Sequence, residues 1–399
     1  MKKPTFVIVL LVAAVAAARG SQPGAVEIDA LLQTAVEQKR VPMAVAMIAD
    51  ANGVVYHRAV GTAEDAIFAI ASMTKPITSA AVMQLVEAGR VQLDVPAATY
   101  VRELEKIQVL DGTARRPPRT PVTIRQLLTH TAGFGYEFMH KQLFDLVARN
   151  ELPSAREGTD AFLAAPLLFD PGTRWEYGIS TDWLGRIVER VSGQTLEVYF
   201  RDRIFEPLRM MDSSFEVPTD KQSRLVPLYQ RQADGSLTLQ PRPPATPVRF
   251  FSGGGGLHST AADYLRFVRA IMAGGQLDGR RILSQQSVAA MGANQIGELN
   301  LHPLPSLIPT LATDGAVLPG RLDKFGLGCA LNTTSEGTTR GVNTLTWAGL
   351  FNTYFWIDRE KQIGAVLMTQ MLPALDPGPR QLLEDFDRAV YAQRSSAKH

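Results

Sequence analysis

Ser72-Met73-Thr74-Lys75 places a hydroxyl and an amine three residues apart. On a helix, positions i and i+3 share a face, so the amine can reach the hydroxyl. If that face is buried, desolvation lowers the lysine pKa and makes the amine a base or proton shuttle for a nucleophilic serine. Spacing alone is weak evidence, because Ser395-Ser396-Ala397-Lys398 repeats it in a polar tail. Context separates the two. Lys75 sits at the mouth of an apolar helix, where an unpaired ammonium is costly.

Other chemistries lack their residues. The GxSxG nucleophile turn is absent; Gly178-Ile179-Ser180-Thr181-Asp182 comes nearest and lacks the last glycine. Gly253-Gly254-Gly255-Gly256 is followed by neither a Lys-Ser/Thr pair nor GxGxxG spacing, which points to a tight turn rather than a phosphate cradle. Histidines 57, 130, 140, 258, 302 and 399 form no HExxH or other close ligand pair, and Cys329 is the only cysteine. No metal site, no cofactor and no disulfide scaffold are therefore expected.

The elements that must carry Ser72 and Lys75 are legible in the apolar pattern. Met43–Ala49 and Val54–Val60, joined across Asp50-Ala51-Asn52-Gly53, predict a hairpin. From about Ser72 to Gly89 the pattern predicts a helix too apolar for the surface, starting near Ser72 because Pro76 is tolerated only near a helix start. Trp183, Leu184, Ile187, Val188 and Val191 form a helical stripe closed by Gly193; Thr195 caps a second helix, and Thr260 with Asp263 opens a third. Strands return at Thr344–Trp347, Tyr354–Ile357 and Ile363–Thr369, and Leu382, Leu383, Phe386 and Val390 end the chain as a helix. Three proline-rich stretches interrupt the order, Arg115–Pro121, Pro241–Pro247 and His302–Pro319, the last a candidate binding loop or lid. The expected fold is α+β: an antiparallel sheet from both termini (about 25–71 and 321–399), flanked by helices, with an inserted mainly helical subdomain (about 72–320).

The chain has 399 residues, 45% hydrophobic and 20% charged, with a formal net charge of +2, which excludes disorder as its main state. Lys2 and Lys3 precede an uncharged run from Pro4 to Ala18 with small residues at Ala16 and Ala18, the pattern of a signal peptide over residues 1–18. Those 15 uncharged residues would rise about 22 Å as a helix, short of a ~30 Å hydrocarbon core. The mature domain is thus expected to span 19–399 and to be exported, periplasmic or secreted. Without Lys2 and Lys3 the 41 basic residues fall to match the 39 acidic ones, so neither nucleic acid nor a membrane is an expected partner of the mature form.

Five motifs then fall in order: Ser72-Met73-Thr74-Lys75-Pro76; Leu127-Leu128-Thr129-His130-Thr131-Ala132-Gly133; Pro171-Gly172-Thr173-Arg174-Trp175-Glu176-Tyr177; Ser252-Gly253-Gly254-Gly255-Gly256-Leu257-His258-Ser259-Thr260-Ala261-Ala262-Asp263; and Trp347-Ala348-Gly349. Together they resemble the serine β-lactamase-related superfamily, specifically the family VIII carboxylesterases that are similar to class C β-lactamases. The resemblance covers nearly all of the mature chain. It implies that Ser72 is the acylated nucleophile, Lys75 its partner and Tyr177 the second member of the base system. A phenol of pKa ~10 is a poor base unless an ammonium stabilises its phenolate, which Lys75 could do. Which of Lys75 and Tyr177 takes the first proton stays open. The resemblance places the oxyanion hole at the backbone N–H groups of Ser72 and Leu350. His130 is expected to orient a loop, and Cys329 to be a small buried hydrophobe.

Two departures bear on the substrate. Where β-lactamases carry the lysine of a Lys-Thr/Ser-Gly triplet, this chain has Trp347; where their Tyr-x-Asn motif has asparagine, it has Ile179. A cation and an amide are lost and an apolar wall is gained, around Trp347, Ala348, Gly349 and Ile179. The expected function is a serine carboxylesterase acting on short-chain or small neutral esters, small-molecule substrates, through an acyl-enzyme. A β-lactamase, a D-aminopeptidase, an acyltransferase or a penicillin-binding module that acylates without turnover are the alternatives.

Overall fold

The computed structural model describes residues 25–112, 114–242, 247–316, 322–334 and 339–396. The signal-peptide expectation for residues 1–18 lies outside them.

Continuous apolar runs make a sheet whose inner strands are buried on both faces. Helix α1 (Ala25–Glu37) leads into strands β1 (Ala44–Asp50) and β2 (Gly53–Val60). Because side chains alternate along a strand, β1 sends Val45, Met47 and Ala49 into one core and Ala44, Ala46 and Ile48 into another. The hairpin turn is tied by Asp50, whose Oδ1 accepts from Asn52 N at 2.8 Å. From the other end of the chain come β3 (Leu322–Phe325), β4 (Ala330–Asn332), β5 (Leu345–Gly349), β6 (Thr353–Asp358) and β7 (Ile363–Met368). The sheet order is β3-β4-β5-β6-β7-β1-β2, antiparallel throughout, with Val45 opposite Met368 and Trp347 opposite Phe355. Sequence-distant termini thus meet at the β7–β1 seam.

Helices cover both faces. On one side Ile28 and Leu32 of α1 pack with Leu382, Leu383 and Phe386 of the C-terminal helix, Pro377–Ser396. On the other, helix α4 (Ala261–Met272) packs on the sheet, and in the same core helices α2 (Thr74–Glu87) and α3 (Ser180–Ser192) pack against each other. Gly193 ends α3 with φ of 75°, the left-handed conformation that glycine adopts most easily. Thr260 caps α4 by accepting from Asp263 N at 3.1 Å.

The helix expected to start near Ser72 does so: Ala71–Met73 forms a 3-10 turn that runs directly into α2 at Thr74. Ala71 has φ of 41°, so the backbone reverses hand just before the serine and cannot already be α-helical there. Within 72–320, α4 packs on β1, β6 and β7 of the sheet. An apolar stripe identifies a buried helix face without naming what covers it.

Candidate active site

Three elements meet at one end of β5. The 3-10 turn Ala71–Met73 presents Ser72, half-buried, at the mouth of a cleft. One turn on, Lys75 is buried at 1% exposure with a side chain that would be costly there without acceptors. It has three: Nζ donates to Ser72 Oγ at 3.1 Å, to Tyr136 Oη at 3.0 Å and to Gly254 O at 2.6 Å. An ammonium carries three donors and no acceptor, so three oxygens match its protonated form.

Tyr177 enters from the segment preceding α3. Its Oη lies 2.7 Å from Ser72 Oγ, and its ring lies beneath Lys75, with Nζ 4.8 Å from the centroid. On its far side Trp347 Nε1 donates to the same phenol oxygen at 3.3 Å. With Lys75 and Trp347 both donating into the pair, the short Ser72–Tyr177 bond can carry its proton either way. When it rests on Tyr177, Ser72 is the more nucleophilic oxygen.

Ser72 and Leu350, whose backbone N–H groups are the oxyanion donors implied by the resemblance, both line this cleft, and among the described residues neither N–H has a hydrogen-bond acceptor. Gly349 explains the closeness of the two segments. A Cβ there would lie 2.2 Å from Thr353 Oγ1 and 2.4 Å from Ile70 O, so only glycine lets β5 approach the backbone that leads into Ser72. Trp347, Ala348 and Gly349 also line the cleft; Ile179 does not, being buried in the core at the start of α3. That position therefore supplies packing rather than a wall for substrate.

Tyr136 and Asp182 were missed. Tyr136 stacks on Phe138 with centroids 5.0 Å apart and meets Tyr177 at 5.4 Å. Burial holds its phenol well above the ordinary value, and the charges possible on Tyr177, Asp182 and Glu137 push the same way, so it stays a neutral partner of Lys75. Only its place three residues after Gly133 of a motif could have flagged it. Asp182, in the first turn of α3, accepts from Ser252 Oγ at 2.6 Å and from Gly254 N at 3.0 Å. The glycine run is thus a backbone strap around the lysine.

His130 packs its ring 5.0 Å from that of Tyr177 and 5.5 Å from Phe325. Burial and the neighbouring Lys75 hold its pKa well below normal, so it is neutral, and its carbonyl accepts from Glu176 N at 2.8 Å. It orients the Tyr177 segment and touches no reacting atom.

The cleft has a volume of about 390 Å³ and is mostly apolar, with Phe138, Phe162, Leu304, Pro305 and Leu375 in its wall. The proline-rich stretch, described through residue 316, forms one side of it. Leu307 N donates to Phe138 O at 2.8 Å and Thr313 N to Ala374 O at 2.9 Å. At its root His302 Nε2 lies 3.4 Å from Glu176 Oε2, while His140 Nε2 lies 3.0 Å from Glu176 Oε1.

A serine, a buried lysine and a tyrosine in mutual contact beside a five-motif chain are matched by a family model described as beta-lactamase, over residues 28–388. The chain belongs to the beta-lactamase family. Monacolin J acid methylbutanoyltransferase of Aspergillus terreus is 30% identical over 403 residues, covering 92% of this chain and 95% of that one. Esterase EstB of Burkholderia gladioli is 29% identical over 405 residues, again 92% and 95%. The unliganded structure of simvastatin synthase from Aspergillus terreus superposes with a TM-score of 0.80 at 29% identity, covering 94% of this chain and 99% of that one. This beta-lactamase-family chain therefore stands among serine esterases and acyltransferases, and it is a serine hydrolase of that fold.

Proposed function

We propose that the protein is an exported carboxylesterase that hydrolyses small neutral esters, with Ser72 as nucleophile. The carrying observation is that Tyr177 Oη and Lys75 Nζ both contact Ser72 Oγ, at 2.7 and 3.1 Å, on the wall of an apolar cleft. The Ser72 hydroxyl proton passes to Tyr177 as Oγ bonds to the ester carbonyl carbon, and the carbonyl π electrons move to oxygen. Ser72 N and Leu350 N would hold that oxyanion; one such donor is typically worth about 10²–10³ in rate. Collapse breaks the bond to the alkoxide, which leaves with the proton relayed from Tyr177 past Lys75. Water then attacks the acyl-enzyme, giving its proton to Tyr177, and the acid departs as Ser72 regains its hydrogen.

The cleft favours a neutral substrate, because the position of the β-lactamase triplet lysine holds Trp347, whose indole N–H is committed to Tyr177. An alcohol replacing water in the second half would make the enzyme an acyltransferase, a reading favoured by the apolar walls that would hold such an acceptor. The test is a panel of chromogenic esters and lactams with the purified mature protein, Ser72→Ala as blank. Ester turnover absent from the blank and exceeding lactam turnover in kcat/KM is expected. Equal turnover by the blank, or faster lactam hydrolysis, would refute it. Added alcohols that divert product from acid to ester would select the transferase reading.

A further inference from the structure

Lys75 has a charge problem that its direct contacts do not solve. Its three acceptors, Ser72 Oγ, Tyr136 Oη and Gly254 O, are all formally neutral, and the side chain is almost wholly out of water. A buried ammonium in that state loses its proton unless an opposite charge acts on it across the low-dielectric interior. The groups facing it are Tyr136 and Tyr177, the neutral His130 ring, and the carboxylate of Asp182. Glu137 faces Tyr136 from beyond, and Glu176 is already engaged by His140 and His302.

Asp182 is the match. It is 2% exposed and forms no ion pair of its own among the described residues. Its Oδ1 accepts from Ser252 Oγ at 2.6 Å and Gly254 N at 3.0 Å, and the carbonyl of that same Gly254 accepts from Lys75 at 2.6 Å. A Cβ on residue 254 would lie 2.4 Å from Asp182 Oδ2, so the carboxylate rests directly on the glycine and fixes where its carbonyl points. The first turn of α3 also favours a negative charge over a neutral side chain. Two buried opposite charges are thus bridged by one residue's backbone.

We propose that Asp182 is the counter-charge of Lys75, a positioning residue that acts through Gly254 to keep the lysine an ammonium during acyl transfer. The proposal rests on the acyl-transfer role of Ser72, Lys75 and Tyr177. It also assigns the first proton: with Lys75 held charged, Tyr177 and not the amine is the base. Burial raises the Asp182 pKa and the charge of Lys75 opposes that rise, so each group supports the charge of the other.

The test compares wild type, Asp182→Asn and Ser252→Ala on a short chromogenic ester across pH, alongside a ¹³C NMR titration of Lys75 Cε assigned by its loss in Lys75→Arg. Asparagine keeps the acceptor oxygen and removes the charge. For Asp182→Asn a 10- to 100-fold fall in kcat with little change in KM is expected. The alkaline limb should move to lower pH, the Lys75 titration should move with it, and Tm at pH 8 should be unchanged or higher. Ser252→Ala loosens the clamp but keeps the charge, so its limb should stay in place. An Asp182→Asn enzyme whose alkaline limb and Lys75 titration both match wild type overturns the proposal, as does a Ser252→Ala limb that moves equally. The NMR arm does not depend on turnover, so an enzyme inactive on esters would refute the functional reading while leaving this one open to its own result. Should Asp182→Asn fail to fold, Lys75→Met in the same chain should restore folding if the two charges answer each other; continued misfolding counts against it.

Discussion

Trp347 Nε1 donates to Tyr177 Oη at 3.3 Å, so the indole is hydrogen-bonded to the residue proposed as base. Its ring, 1% exposed, packs at a centroid distance of 4.9 Å from Tyr177 and 5.5 Å from Phe325. Core packing and a hydrogen bond to the Tyr177 oxygen belong to the same contact. Trp347→Phe keeps the packing and removes the donor. A hydrogen bond to a charged oxygen is worth about 1.5–3 kcal/mol, so kcat should fall about 10- to 100-fold. An unchanged kcat would leave Trp347 a wall and nothing more.

Tyr177→Phe tests the base directly. The phenylalanine ring keeps the contacts with His130, Tyr136 and Trp347 and loses only the oxygen 2.7 Å from Ser72. Acylation should drop by about 10³ or more with Tm close to wild type, since general base catalysis and a charge-assisted hydrogen bond are lost together. Stopped-flow release of the leaving alcohol measures it. Tyr136→Phe serves as the contrast: its neutral phenol only accepts from Lys75, and the loss should be smaller.

Gly349→Ala should separate the oxyanion hole from binding. The new Cβ meets Ile70 O at 2.4 Å and Thr353 Oγ1 at 2.2 Å; the threonine can rotate, but the backbone carbonyl cannot yield. β5 must then draw back from the nucleophile turn and take Leu350 N with it. A loss of about 10² in kcat, little change in KM and a Tm lower by several degrees are expected. Retained kcat would place the oxyanion donors elsewhere.

How much of this was legible follows from what kind of pattern each residue makes. Ser72 and Lys75 are three apart in one segment, and the strands flanking the insertion read as apolar runs, so the Ser72–Lys75 contact and the β1, β2, β5, β6 and β7 strands were within reach of the sequence. Tyr136 and Asp182 are separated from Lys75 by long stretches of chain and sit in segments whose apolar neighbours give them no distinguishing spacing. Their roles exist only after folding brings Gly254 between Asp182 and Lys75. Ile179 failed in the opposite sense, because a motif position fixed its place along the chain but not the direction of its side chain into the core. The reversal at Ala71, just before the helix, left no trace in the sequence, because alanine carries no signal for a positive φ.

The His302–Glu176 contact gives the last prediction. Hydrogen bonding to Glu176 raises the His302 pKa to about 9, and although burial raises that of Glu176, its contacts with His140 and His302 hold it at about 2. A histidine whose folded pKa is raised contributes stability fully below its unfolded value of ~6.5, and the contribution disappears as pH rises through about 9. The Glu176 contribution is present above an unfolded value of ~4.3 and disappears as pH falls through about 2. Since His302 is 42% exposed at the side chain, solvent screening keeps the effect small, and it is best read as a difference. Tm of wild type should exceed that of His302→Gln at pH 6, and the gap should close by pH 10. Because His302 roots the segment that carries Leu304, Pro305 and Thr313 into the cleft wall, KM for esters should rise in the variant at pH 6 while kcat holds. A gap in Tm that persists at pH 10 would mean that His302 anchors the loop without its charge.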